Sequence, residues 1–324
     1  MTSAKHVPEL KSIEGRSGKK RALILASIVA ALLGLNFFTF LAAIPETSTI
    51  DGGCCTNHVL AKDFSAFYVS AWRLFSDPSN LYMNGVVNDG GPHILPQPEP
   101  YKYLPSMLLL ISPLLLLDYH SALLAFDALQ FLLLVPIAIL IAKLLKRRSL
   151  GVTAAVLAIA LLEPSPVSFP NYGFSVTYFL LWAEGQSKVL LLFLLLLSLY
   201  YAKEGRAVTS GVLLGLASFD PRFALLSIPL FLAYSGSIRF FKRWLDVALV
   251  SIIALNLPIL LLPSTGANFV RMLFSGGIST PIYPYALIPT LTLVAISVVE
   301  RNEILTAISR IAKSPIRSEQ PSAN

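Results

Sequence analysis

Long apolar runs separated by short basic clusters make up most of the chain, and one amphipathic stretch, Asp63 to Phe75, stands apart from them. Within it Phe64, Phe67, Tyr68, Ala71, Trp72 and Phe75 recur at i, i+3, i+4 and i+7, the spacing of one apolar helix face. Asp63 stands at the expected N-cap, where a short carboxylate accepts bonds from the first unpaired amides. The stretch is too polar to cross a bilayer. Its pattern predicts a helix lying in the membrane surface, with the aromatic face in the headgroup boundary and the Asp63 carboxylate at the water–lipid interface.

The remaining runs predict a bundle of spans. Residues 1–20 are polar and basic, and Arg21 to Ile44 is apolar over enough residues to cross a hydrocarbon core of roughly 30 Å, so it reads as a retained first span with its basic end in the cytoplasm. Residues 45–120 read as a large first outer loop carrying acidic, Pro and Gly residues. Within this loop, Leu104 to Leu117 is too short for a full crossing and contains Pro105 and Pro113, which predicts a re-entrant or interfacial segment. Further candidate spans are Ser121 to Leu145, Leu150 to Leu162, Gln186 to Tyr201, Ala207 to Phe219, Phe223 to Tyr234, Trp244 to Leu262 and Tyr283 to Val299.

If Leu104 to Leu117 does not cross, every basic cluster falls on one side. These clusters are Lys143 with Lys146, Arg147 and Arg148; Lys203 with Arg206; Arg239 with Lys242 and Arg243; and the C-terminal tail, 301–324. The predicted fold class is therefore all-α, a polytopic bundle of about eight spans over residues 21–300 with both termini in the cytoplasm. Several spans are shorter than the roughly 20 residues of a perpendicular crossing, which a thinned bilayer or a water-filled outer cavity accommodates. Lys313 to Asn324 reads as a disordered tail.

Composition agrees. Of 324 residues 55% are hydrophobic and 13% charged, too apolar for a soluble domain of this length. The net charge of +7 comes from clusters between apolar runs and from the tails, a pattern of membrane orientation and not of a nucleic-acid surface. The two cysteines, Cys54 and Cys55, are adjacent, a poor geometry for bridging each other, and no metal-ligand spacing occurs. No Gly-rich nucleotide loop, hydrolase triad or zinc signature is present, and His58, His93 and His120 are isolated.

The predicted topology gathers the informative polar residues outside. Besides Asp63 these are the Glu163 to Ser175 turn with Asn171, the Trp182 to Lys188 segment and the Phe219 to Phe223 turn. Glu184 and Lys188 are spaced for a helical ion pair, either self-neutralising at a span end or facing a cavity. Gly185 and Gln186 between them allow a late helix start with amides left for an anion. Asp220 and Pro221 suit a tight turn, while Arg222 has the fork geometry of a phosphate ligand. Lys102, between Tyr101 and Tyr103, either binds phosphate or snorkels to the interface. Asp63 itself is a general base or simply a helix cap, and Tyr68 a substrate contact or a membrane anchor.

The order of these pieces resembles a known family. D-F-S-A-F-Y-V-S-A-W-R-L-F at Asp63 to Phe75, with Leu81 and Tyr82, resembles the first outer loop of the polyprenyl-phosphate-mannose-dependent alpha-1,2-mannosyltransferases of the GT-C superfamily. Y-K-Y-L-P at Tyr101 to Pro105 is similar to that family's F-x-Y-P-P, E-G-Q-S-K-V-L-L-L at Glu184 to Leu192 to its G-Q-V-N-L-L-L, and G-V-L-L-G-L-A-S-F-D-P at Gly211 to Pro221 to its G-x-L-L-G-L-A-A-x-x-K-P.

The resemblance implies an inverting hexosyl transfer, with mannose the expected sugar. The donor is a polyprenyl-phosphate sugar, the acceptor a glycan or glycolipid on the outer face of the plasma membrane, and no metal or cofactor is assigned. Carried over, Asp63 is the general base and Gln186 a cavity residue. The family's lysine before proline falls on Asp220 here, so Arg222, Lys188 or Lys102 is expected to hold the phosphate, with Tyr68, Tyr103 and Glu184 as further substrate contacts. The alternatives are a non-catalytic membrane protein that binds or moves a lipid-linked sugar and, less in keeping with the large outer loop, a small-solute transporter.

Overall fold

The computed structural model describes residues 62–83, 85–88, 94–97, 101–145, 187–235, 237–272, 292–294, 296–298 and 301–313. The Arg21 to Ile44 and Leu150 to Leu162 spans, Cys54, Cys55, the Glu163 to Ser175 turn, Glu184 and Gln186 lie outside the described residues, as do most of Tyr283 to Val299 and the chain beyond Lys313. The helices are α1 (Lys62–Ser76), α2 (Ser106–Ile111), α3 (Tyr119–Leu144), α4 (Lys188–Lys203), α5 (Ala207–Ala217), α6 (Pro221–Ser235), α7 (Ile238–Leu260), α8 (Thr265–Met272) and α9 (Arg301–Lys313). One element departs from the all-α expectation. Gly85–Asn88 and Ile94–Gln97 form an antiparallel hairpin in the first loop, with Gly85 opposite Gln97. Asp89, Gly90 and Gly91 between two β-branched segments are a hairpin signal that the helical reading passed over.

Among the described residues α3 and α7 are long and apolar enough to cross a membrane, whereas α4, α5 and α6 have 16, 11 and 15 residues. Leu104 to Leu117 becomes the six-residue α2 followed by a 3-10 turn, Ser112–Leu116, with Pro113 opening that turn. Residues 301–313, at the start of the C-terminal tail, form a helix that packs on α6.

The helices α4 to α7 run alternately up and down. Gly205 turns the chain between α4 and α5 with φ of 75°, a left-handed conformation that glycine adopts without steric cost, and its amide bonds the Ala202 carbonyl. Along the α4–α5 seam the Ser198 and Ser210 hydroxyls each donate to the other's carbonyl, at 2.7 and 2.8 Å. On its other side α5 meets α7 through Gly211 and Gly215, four residues apart, the small-residue spacing that lets two backbones approach closely in lipid. A Cβ at Gly215 would stand 2.4 Å from Ser251 Cβ, and one at Gly211 2.8 Å from Val247 Cγ1.

Gly215→Val is therefore expected to force α5 from α7. Overpacking of this kind costs about 1–3 kcal/mol, and a branched residue belongs at the upper end. The variant should melt well below the native protein in detergent; an unchanged melting temperature would show that this seam is not close-packed.

The alternation gives the bundle two distinct ends. The starts of α4 and α6 meet the Tyr101–Leu104 segment, where the Leu104 amide donates to the Phe219 carbonyl at 3.1 Å, and the late part of α7 joins them, Asn256 Oδ1 accepting from the Ser106 amide at 2.8 Å. At the other end Lys203 donates to the Lys143 and Leu144 carbonyls and lies over the Tyr234 ring, while Lys143 lies over Tyr200.

Candidate functional site

The first loop is built onto the first of these ends by its aromatic residues. The helix periodicity of Asp63 to Phe75 is realised in α1, but its apolar face does not lie in lipid as the composition suggested. Phe64, Phe67, Tyr68 and Ala71 are buried in protein, Trp72 is half-buried, and Phe75 is 69% exposed. Phe64 packs on Tyr119 and Phe126 with ring centroids 5.6 and 5.2 Å apart, Phe67 packs on Tyr103 at 5.2 Å, and the Tyr68 hydroxyl donates to the Leu117 carbonyl at 2.7 Å. An apolar face reads the same in sequence whether aromatic rings or acyl chains cover it. Asp63 is half-buried in the first turn of α1, one residue inside the helix and not at its N-cap.

The turn after α1 is fastened as well. Arg73, buried, donates to the Asn80 and Met83 carbonyls. From α8, the Thr265 hydroxyl donates to the Pro78 carbonyl at 2.8 Å and the Asn268 amide to the Ser79 carbonyl at 2.6 Å, while Phe269 packs on Tyr82. Tyr82 in turn stacks toward Tyr101 and donates to the Tyr103 carbonyl at 3.3 Å.

Against this aromatic layer sit three charges. Lys188 opens α4 and is 1% exposed; its Nζ lies 2.9 Å from Asp220 Oδ2 and donates to the Tyr103 hydroxyl at 3.3 Å. The same ammonium stands 5.0 Å from the Tyr103 ring centroid and 5.4 Å from that of Phe223, within cation–π range. Arg222 closes on Asp220 with a two-pronged bond, Nε to Oδ1 and Nη2 to Oδ2, both 2.9 Å, and stays 56% exposed while Asp220 is buried.

Burial by itself pushes the Asp220 carboxyl up. Lys188 and then Arg222 outweigh it and hold the group below the ordinary carboxylate value. The cluster carries two cations on one anion, a net charge of about +1 with the Arg222 fork at its outer edge.

The expected partner of Lys188, Glu184, lies outside the described residues, and among those described the lysine pairs with Asp220. Helix α4 begins at Lys188, so Glu184 precedes it, and the lysine's partner comes from 32 residues along the chain. Gly185 and Gln186, where a late helix start was expected, lie outside the described residues. Lys102 is half-buried, between Tyr101 and Tyr103 in the chain. The structure therefore brings together Lys188, Asp220, Arg222 and Tyr103, with Asp63 one helical turn before Phe67, whose ring touches Tyr103.

Two features escaped the sequence reading. Asn256 ties α7 to Ser106 at this end, and Asp127 with Gln130 lies fully buried on α3, beside Phe126, its carboxylate oxygens without a hydrogen-bond partner among the described residues. Lone polar residues inside apolar spans are the signal that would have marked both. Among the described residues no cluster of potential metal ligands occurs.

The sequence pattern of glycosyltransferase family 87 matches residues 101–285, more than half of the 324-residue chain. No curated protein and no solved structure matches.

Proposed function

This chain belongs to glycosyltransferase family 87, and on that premise we propose that it transfers a hexose, mannose by the resemblance, from a polyprenyl-phosphate donor to a glycan or glycolipid acceptor. The observation that carries this reading is the Lys188–Asp220–Arg222 cluster, a net cation at a wall of buried aromatics. A lipid-borne phosphate meets both demands there, offering oxygens to a guanidinium and an apolar chain to the neighbouring membrane.

In this mechanism Asp220 is a positioning residue. It fixes the Arg222 guanidinium from behind, so that the fork is set in one orientation before the ligand arrives. Lys188, desolvated behind it, adds charge that favours the phosphate as a leaving group. Asp63 is the general base. As the acceptor oxygen attacks the anomeric carbon, its proton passes to the Asp63 carboxylate and the bond from that carbon to the phosphate oxygen breaks, with inversion at the carbon. Because polyprenyl phosphate is already a good leaving group, no protonated acid is required opposite it. Glu184 and Gln186 complete the substrate set, with Tyr68, Tyr103 and Lys102 at its border.

The same reading keeps a GT-C-like bundle of about eight spans over residues 21–300. Residues 1–20 and 301–324 lie in the cytoplasm, and the site faces outward at the plasma membrane.

The donor class is tested with purified protein in liposomes and two radiolabelled donors, polyprenyl-phosphate hexose and nucleotide hexose, over a mixed acceptor pool. Transfer from the lipid donor alone supports the proposal; transfer from the nucleotide donor alone would overturn it. Arg222→Gln should raise the KM for the lipid donor about 10- to 100-fold, the loss of one charge-assisted two-pronged contact. Because Arg222 is more than half exposed, the melting temperature should move little, and a large fall in it would make this residue structural.

A further inference from the structure

The opposite end of the bundle holds a second concentration of positive charge, arranged around a cavity. A pocket of about 450 Å³ lies between the α4–α5 turn and the start of α7, lined by Arg206, Arg239 and Arg243, with Thr209, Ser237 and Phe240 among its walls. Helix α4 rises about 24 Å between its ends at 1.5 Å per residue, so this pocket and the Lys188–Asp220–Arg222 cluster stand at opposite ends of the bundle. The pocket's end also carries Lys143, Lys203 and Lys242, and the concentration of basic residues there marks it as cytoplasmic.

The first turn of α5 forms part of the wall, from Ala207 to Thr209, where helix amides have no partner within the helix. Ser237 caps the start of α7 by accepting from the Phe240 amide. The neighbouring acids, Glu204 and Asp246, do not line the pocket. Val208 and Ile238, about half exposed, stand beside the arginines. Three arginines and a helix start thus line one space with an apolar flank, the Arg206 guanidinium lying also over the Tyr201 ring, 5.7 Å from its centroid.

We infer that this pocket binds the phosphate headgroup of an anionic phospholipid of the inner leaflet. The guanidiniums hold the phosphate oxygens, the α5 amides add donors, and the acyl chains run along the exposed Val208 and Ile238 surface. The ligand stays chemically unchanged; it fixes the α4–α5 turn against α7.

The test is native mass spectrometry of the full chain from nanodiscs holding equal phosphatidylglycerol and phosphatidylcholine. The native protein should retain phosphatidylglycerol preferentially, each arginine contributing about fivefold near an anionic surface. The triple change Arg206→Gln, Arg239→Gln, Arg243→Gln should reduce the preference to parity, while replacing the same three by Lys should keep most of it and show that the chain still folds. Lys242→Gln, outside the pocket, and Arg222→Gln, at the other end, should leave the preference in place.

Persistence of the preference in the triple Gln variant would overturn the assignment. So would an equal loss in Lys242→Gln, which would mean generic surface charge, or in Arg222→Gln, which would place the lipid in the candidate active site. Displacement of the lipid by an equal concentration of inorganic phosphate would reassign the pocket to a soluble anion.

Discussion

Asp63→Asn should abolish hexosyl transfer while leaving donor binding within about twofold of native. The amide is nearly isosteric but cannot accept the proton of an attacking hydroxyl, and general base catalysis contributes on the order of 10²–10⁴ in rate. Asp63 is half-buried in the first turn of α1, and the contacts that anchor this helix are made by Phe64, Phe67, Tyr68 and Arg73. Losing one carboxylate near a helix start costs about 1 kcal/mol. Equilibrium binding of labelled donor beside the transfer rate separates the two effects. Full activity in Asp63→Asn would remove this residue from the chemistry, and loss of donor binding together with transfer would make it a binding residue.

The second large effect concerns stability. Lys188→Ala removes the buried partner of Asp220 and should destabilise the protein by about 3 kcal/mol, the lower end of the range for breaking a buried pair, because Arg222 still faces the carboxylate. Replacing both charges with apolar residues of similar size, Lys188→Met with Asp220→Leu, should recover most of that loss, since an apolar pair suffers no desolvation. Transfer should stay absent in the double variant, because Arg222 then has no carboxylate to orient it. Recovered stability with recovered activity would make the cluster purely structural.

The pH dependence has a definite sign. Asp220 titrates below the ordinary value of 3.8 in the folded protein, so its stabilising contribution is present above that value and is lost as the pH falls through the folded one. Melting temperatures measured downward from pH 5 should fall more steeply for the native protein than for the double variant. Parallel curves would mean that Asp220 carries no net stabilisation.

Much of this was legible from residue spacing, and the failures have physical causes. The 3.6-residue period located α1 to within one residue of each end, because a helix face repeats locally. What covers that face is a tertiary matter, and here Tyr103, Tyr119 and Phe126 do, where the composition pointed to lipid. Lys188 and Asp220 each stand out in the sequence, but their contact across 32 residues leaves no trace there, as an i, i+4 spacing does. Gly211 and Gly215 were recognised only as part of a motif; their spacing acquires its meaning from Val247 and Ser251 on the facing helix. Asp127 went unnoticed inside a run of leucines, although a carboxylate in a span is costly enough to be informative.

The most direct test of the central claim is a single-turnover experiment. Excess protein in liposomes is mixed with polyprenyl-phosphate hexose labelled in the sugar, an acceptor pool is added, and label is followed in the lipid and acceptor fractions. The account predicts that label leaves the donor fraction and appears in the acceptor fraction, that it does so with native protein and not with Asp63→Asn, and that the new bond has the opposite anomeric configuration to the donor. Donor that binds saturably while its label stays on the lipid, with an acceptor pool broad enough to include free and lipid-linked glycans, would contradict it and favour a protein that carries a lipid-linked sugar without transferring it.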